Sequence, residues 1–258
     1  MPILGELPNS IRRNARHVRL SGDVPAMLVR PESGATDAPL FIWMHGRTAN
    51  KELDPGRYIR LMRAGIASCA LDLPGHGERL DPRRQEPGAI VDVIQQMLEE
   101  LDPVLEDLRS MDTHDATRIG IGGISAGGIV TLLRMTREHD FRCAAVEATT
   151  GNRAFRSETM SVDDDRLEGI DVMNRLEDWR EVPLLAVHNR FDEWIDVAGQ
   201  EVFMDTLRKR YDRPELVELH VYEERTGAPF EHAGFGRFSP DAKDRQVAFL
   251  CRHLGVTT

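Results

Sequence analysis

Apolar and polar positions follow two different rhythms along the chain. Residues 17–32, HVRLSGDVPAMLVRPE, alternate at period two on either side of the turn signal Ser21-Gly22-Asp23, which predicts an antiparallel hairpin. From residue 39 the strand-like segments lose that alternation. PLFIWMHG (39–46) is continuously apolar, as expected of a strand covered on both faces, and the same signature recurs at 65–75, 118–123, 142–148, 182–189 and 215–223. Between these runs, apolar residues recur at helical spacing in 53–64, 88–110, 126–138, 196–211 and 240–254. Pro103 lies inside the second helical stretch and is expected to kink or split it, because proline lacks the amide donor and crowds the preceding turn.

Strands alternating with helices predict right-handed crossovers and an α/β fold: a mostly parallel central sheet with an N-terminal antiparallel hairpin and helices on both faces. No repeat or linker divides the sequence, so a single domain over 1–258 is expected. Residues 149–181 break the rhythm. They are polar, contain the helix-like SVDDDRLEGIDVMNRLEDW, and read either as a small cap or lid before the next strand or as a surface crossover.

Composition narrows the function classes. Lys and Arg number 33 against 43 Asp and Glu, a formal charge of −10 that repels phosphate backbones and anionic lipid. The one basic run, IRRNARHVR (11–19), carries no nucleic-acid reader motif and is expected to be a solvated N-terminal segment. Cys69, Cys143 and Cys251 each sit in an apolar pattern, outside any CxxC or Cys/His cluster, and read as reduced core thiols with no metal site. The start, MPILGELPNS, lacks the charged and apolar regions of a signal peptide, and no apolar run approaches the ~18 residues of a membrane span, so a cytoplasmic protein is expected. The partner expected is a small-molecule substrate, without nucleic acid, membrane or cofactor; a homo-oligomer is left open.

In open α/β sheets, ligands bind beyond the carboxyl ends of the strands, so chemistry is sought directly after the apolar runs. Gly123-Ile124-Ser125-Ala126-Gly127 is a G-x-S-x-G pentapeptide between a strand pattern and a helix pattern, the setting in which a serine stands at the apex of a sharp turn. A serine hydroxyl needs a base, and the base needs an acid to fix its tautomer. Asp192 follows the fifth apolar run and His232 the sixth, giving the order serine, acid, histidine that this fold uses. Glu193, Asp196 and Glu147 are fallback acids, although Asp196 reads better as a helix N-cap. His17, His114, His139, His220 and His253 read as ordinary packed or solvated histidines.

Acyl transfer also requires donors for the oxyanion. The Ala126 amide, at the helix start, is one candidate; the Arg47 amide is the other, in the turn where His45 and Gly46 support the loop. Asp72 and Glu78, in LDLPGHGER, are read as structural, the aspartate tying down the following glycine turn. Trp43, Phe155, Met160, Trp179, Trp194, Phe230 and Phe235 are the candidates for shaping a pocket.

From residue 17 to 254, the segments MHGRTANKE, ALDLPGHGER, GGISAGG, VHNRFDEWID and EHAGFG resemble, in order and spacing, the α/β-hydrolase superfamily. Within it the chain is most similar to the dienelactone hydrolase and prolyl-oligopeptidase-like group of small bacterial serine esterases. The resemblance implies ester hydrolysis of small or medium acyl chains through an acyl-serine intermediate, without a cofactor. The chain departs from a dienelactone hydrolase proper, which would place a cysteine at position 125. It also lacks the HGGG of the hormone-sensitive-lipase-like branch and the β-propeller of true prolyl oligopeptidases. A peptidase, thioesterase or acyltransferase with the same triad is the alternative, and a non-catalytic binding protein of the same fold is the alternative of another class.

Overall fold

The computed structural model describes residues 7–153, 164–228 and 230–256. In chain order a short helix α1 (Asn9–Asn14) leads into β1 (Ala15–Leu20) and β2 (Val24–Val29), which pair antiparallel as the predicted hairpin. Then follow β3 (Pro39–Met44), α2 (Pro55–Arg63), β4 (Ala67–Leu71), α3 (Ile90–Arg109), β5 (Asp115–Ile124), α4 (Ala126–Arg134) and β6 (Cys143–Glu147). The chain closes with α5 (Asp164–Glu168), β7 (Leu184–Asn189), α6 (Val197–Arg210), β8 (Val217–Tyr222) and α7 (Ser239–Leu254). The sheet order is β1-β2-β4-β3-β5-β6-β7-β8; β2 meets β4 antiparallel and every pairing from β4 to β8 is parallel. This is the α/β-hydrolase architecture.

The continuous apolar runs are explained by the two-residue period of a strand whose faces are both covered. In β3, Leu40, Ile42 and Met44 enter the core beneath α3, α4 and α6, while Phe41 and Trp43 enter the core beneath α1, α2 and α7. β6 and β7 divide in the same way, Ala144, Val146, Leu184 and Ala186 on one face and Cys143, Ala145, Leu185 and Val187 on the other. All three cysteines are free and buried.

Two local expectations change. Helix α3 runs unbroken through Pro103. Leu98 and Leu101 before the proline, and Val104, Leu105 and Leu108 after it, bury one continuous face, at about 1.5–3 kcal/mol for each side chain, which offsets the ~3 kcal/mol that an interior proline costs. The basic run at 11–19 is solvated along most of its length, yet it is built into the fold: it supplies the last four residues of α1 and most of β1, and Ile11 is fully buried against α2 and α7.

Residues 154–163 of the predicted 149–181 insert lie outside the described residues, as do the candidates Phe155 and Met160. In the part that follows, Leu167, Ile170, Val172, Leu176 and Trp179 are buried in the same core as α3, α4 and α6. Among the described residues no helix is long and apolar enough to cross a membrane.

Candidate active site

The glycines around Ser125 are a steric requirement. A Cβ on Gly123 would stand 2.4 Å from the Gly127 carbonyl, and one on Gly127 would stand 2.3 Å from the Met44 oxygen. Backbone cannot move aside for either. The close passage forces Ser125 itself to φ 54°, ψ −117°, outside the usual range of a residue with a side chain. Three bonds hold it there: its amide donates to the Glu147 carbonyl at 2.9 Å, and its carbonyl accepts from the Ile129 amide at 3.0 Å and Thr149 Oγ1 at 3.1 Å.

The structure brings Ser125, His232 and Asp192 together from three separate strand ends. His232 Nε2 is 2.8 Å from Ser125 Oγ, and His232 Nδ1 is 2.8 Å from Asp192 Oδ2 and 3.1 Å from Oδ1. Because Asp192 is an acceptor, Nδ1 carries the proton and Nε2 is free to accept from the serine hydroxyl. Asp192 Oδ1 also accepts from the amides of Trp194 and Ile195, each at 2.9 Å. Burial pushes the Asp192 carboxyl upward, but the His232 hydrogen bond and charge, the neighbouring His188 and the Ile195 amide outweigh it and hold the pKa below the ordinary value.

Asn189 and Glu231 join the loops that carry the acid and the histidine. Asn189 Oδ1 accepts from the Phe191 amide at 2.7 Å, and its Nδ2 donates to Glu231 Oε2 at 3.1 Å; that carboxylate also accepts from the Thr226 amide at 2.8 Å. The fallback acids are engaged elsewhere. Asp196 caps α6 through the Ala198 amide, Glu193 accepts from the Glu231 amide at 3.4 Å, and Glu147 forms a buried bidentate pair with Arg57 at 2.8 and 2.9 Å.

His45 supports the opposite turn. The Leu73 amide donates to its Nε2 at 3.1 Å, so Nδ1 bears the proton and donates to the Gly46 carbonyl at 2.7 Å. The Gly46 carbonyl also accepts from the Ala49 amide at 3.3 Å. In a trans peptide the following N–H points away from the carbonyl, so pinning that oxygen fixes the direction of the Arg47 amide. Gly46 itself lies against Ser125: a Cβ there would be 3.2 Å from the Ser125 Cβ.

The loop after the Arg47 turn is tied down from within. Lys51 Nζ donates to Asp72 at 2.9 Å and Glu78 at 2.7 Å, and the Lys51 and Glu78 amides both donate to the Asp72 carboxylate. Burial acts against the charge on Asp72, yet His45, Lys51 and the two amides together hold its pKa well below the carboxylate range. The contribution of His45 is weak, since its Nε2 accepts from Leu73 and lies 3.7 Å from Asp72.

Ser125 and His232 open into a cavity of about 760 Å³ that Arg47, Ala126 and Gly46 also line. Of the aromatic candidates, Trp43, Trp194, Phe230 and Phe235 line it. Trp179 does not: it packs edge-on against Phe203 and its indole donates to the Tyr211 hydroxyl at 2.7 Å. The inner wall carries Arg57, whose guanidinium lies 3.8 Å from the Trp43 ring centre and bonds to Gln246 as well as Glu147. Among the described residues no group of three or more His, Cys, Asp or Glu side chains could hold a metal ion.

Sequence reasoning missed Arg57, Lys51, Asn189, Glu231 and the supporting His188. Glu147 and Arg57 stand 90 positions apart and carry no local pattern. His188 did carry a signal, being the one ionisable residue inside the apolar run 184–189; its Nε2 lies 3.0 Å from the Ile195 carbonyl and 3.5 Å from Asp192.

Fold and relatives together define a serine hydrolase of the α/β-hydrolase superfamily. The chain belongs to the prolyl oligopeptidase family, whose family model matches residues 95–257. It is similar to "Putative esterase YitV" of Bacillus subtilis (strain 168), 26% identical over 214 residues that cover 74% of this chain and 84% of that protein. Its fold matches TT1662 from Thermus thermophilus with a TM-score of 0.75 at 22% identity, over 94% of this chain and 98% of that one. It also matches a puromycin-hydrolyzing peptidase of Mycobacterium tuberculosis, with a TM-score of 0.74 at 19% identity, over 98% of this chain but 41% of that one. The chain therefore spans about two-fifths of that larger peptidase.

Proposed function

We propose that the protein is a carboxylesterase acting on esters of small or medium acyl chain, with Ser125 as nucleophile, His232 as general base and acid, and Asp192 orienting the imidazole. The observation that carries this reading is the continuous chain from Asp192 through His232 to Ser125, with 2.8 Å at each link. Ser125 Oγ bonds to the acyl carbon as its proton passes to His232. The bond to the alcohol oxygen then breaks, and His232 returns the proton to that oxygen. Water repeats the sequence on the acyl-serine, releasing the acid. The amides of Ala126 and Arg47 take the roles of oxyanion donors, where loss of one donor costs on the order of a hundred- to a thousandfold. The protein is proposed to act as a single domain, into whose core Leu167, Ile170, Val172, Leu176 and Trp179 pack.

The relative named as an esterase spans most of its own length in the match and supports the ester reading. Ser125→Ala is expected to lower p-nitrophenyl acetate turnover by on the order of ten-thousandfold or more with the fold intact. Undiminished turnover, or failure of a fluorophosphonate to label the wild type at Ser125, would sink the hydrolase reading. A peptidase is the second reading, favoured by the family to which the chain belongs. Higher kcat/KM on aminoacyl p-nitroanilides than on matched p-nitrophenyl esters would put it in place of the first.

A further inference from the structure

Trp194 and Phe230 are 36% and 52% exposed, unusual for side chains of their size, yet both line the cavity that holds Ser125. Their ring centres are 5.6 Å apart with planes tilted by 37°. Trp194 in turn lies 4.8 Å from the His232 ring at 35°. Phe230, Trp194 and His232 therefore form a series of neighbouring π-faces that begins at the surface and ends on the catalytic imidazole. The Arg47 guanidinium stands 5.9 Å from the Trp194 ring centre, within cation–π range.

The position of this shelf assigns it to one half of the ester. His232 must hand its proton to the departing oxygen, so that oxygen sits within hydrogen-bond reach of Nε2. A group leaning on the ring that borders His232 is attached to the departing oxygen, not to the acyl carbon. That leaves the acyl half to the rest of the same cavity, which Ile90 and Ile129 of α3 and α4 also line. An alkyl group on the shelf would gain burial alone. A planar aryl group would gain burial and the ring-to-ring interaction with Trp194 and Phe230.

We propose that Trp194 and Phe230 form a leaving-group subsite for the aryl ring of an arylmethyl alcohol, so that the favoured substrates are esters of benzyl-type alcohols. The proposal rests on the esterase reading above. It is tested with benzyl acetate and cyclohexylmethyl acetate, which share the acyl group, the CH₂–O linkage and nearly the same size. For the wild type the ratio of kcat/KM, benzyl over cyclohexylmethyl, is expected to be about five to ten. Phe230→Leu and Trp194→Leu keep apolar bulk and delete the ring, and each brings the ratio toward one. Because a ratio is read, any loss common to both esters cancels. A wild-type ratio near one, or a ratio unchanged in both variants, overturns the subsite while leaving the hydrolase reading intact; turnover of both esters surviving in Ser125→Ala would instead remove that reading. Product inhibition of wild-type p-nitrophenyl acetate hydrolysis provides an arm that needs no variant. Benzyl alcohol should inhibit severalfold more tightly than cyclohexylmethanol, and equal inhibition also overturns the subsite.

Discussion

Ser125 holds a conformation that only its surroundings make tolerable. At φ 54° and ψ −117° it sits where glycine is at ease and a residue with a Cβ is strained by about 1–3 kcal/mol. The same turn lifts its hydroxyl to 2.8 Å from His232 and puts its amide on the Glu147 carbonyl, so strain and chemistry have one cause. Ser125→Gly should therefore be inactive yet more stable than the wild type, by about 1 kcal/mol in urea unfolding. A variant less stable than the wild type would show that the turn is relaxed with its serine in place. The residues that face this strain were legible in the sequence because each carries a positional signal. Ser125 is bracketed by obligatory glycines, and Asp192 and His232 follow buried strands in the order the fold imposes. The pair of Arg57 and Glu147 was not legible, since only the folded sheet brings α2 beside the end of β6.

At the scale of elements, the loop after β3 is fastened to the loop after β4 through a buried ion pair. Lys51 is 2% exposed and Asp72 fully buried, so neither charge can turn to water if its partner is lost. Removing one partner of such a pair commonly costs about 3–5 kcal/mol. Lys51→Met is expected to destabilise the protein by about that amount at neutral pH, and to reduce turnover because the turn bearing the Arg47 amide loosens. The pH dependence follows from Asp72, whose folded pKa lies below its ordinary value. Its contribution is fully present above the ordinary carboxylate pKa of about 4 and is lost as pH falls through the lower folded value. In the variant Asp72 lacks its counter-charge and protonates at a higher pH than in the wild type. The stability gap between the two should thus narrow on acidification, once Asp72 starts to protonate in the variant. Urea midpoints measured at neutral pH and near pH 4 check this, and a gap that widens would contradict it. The sequence supplied half of this element: Asp72 was expected to hold its own glycine turn, and it does so through the Glu78 amide. Lys51, in TANKELD, has no local pattern that marks it for burial. Helix α3 shows the converse, a local rule overridden when ten buried side chains on one face outweigh a single proline.

The whole molecule is a sheet with a core on each side, and the strands belong to both cores at once. β2, β3, β4, β6 and β7 each send alternate side chains into the two clusters, so neither cluster can come apart without exposing the back of the sheet that supports the other. The site has the same dependence, since Ser125, Asp192 and His232 reach one point only when β5, β7 and the loop beyond β8 keep their register. The rhythm of apolar runs made this layered sheet predictable from the sequence, but the sharing of strands between the cores depends on which side each residue faces. Two tryptophans report on the two sides: Trp43 belongs to the core beneath α2 and α7, and Trp179 to the core beneath α3, α4 and α6. In variants that keep one of them and carry phenylalanine at the other two tryptophan positions, urea unfolding followed by fluorescence should give the same midpoint whichever tryptophan is kept. That midpoint should also coincide with the loss of far-UV circular dichroism in the same variant, as all-or-none unfolding requires. The phenylalanine substitutions shift both transitions of one variant together, so the comparison between probes within each variant is the decisive one. If Trp179 fluorescence changed at a lower urea concentration than the circular dichroism of the same variant, the face that carries Leu167, Leu176 and Trp179 would unfold independently, and the chain would be two cooperative units built on a common sheet.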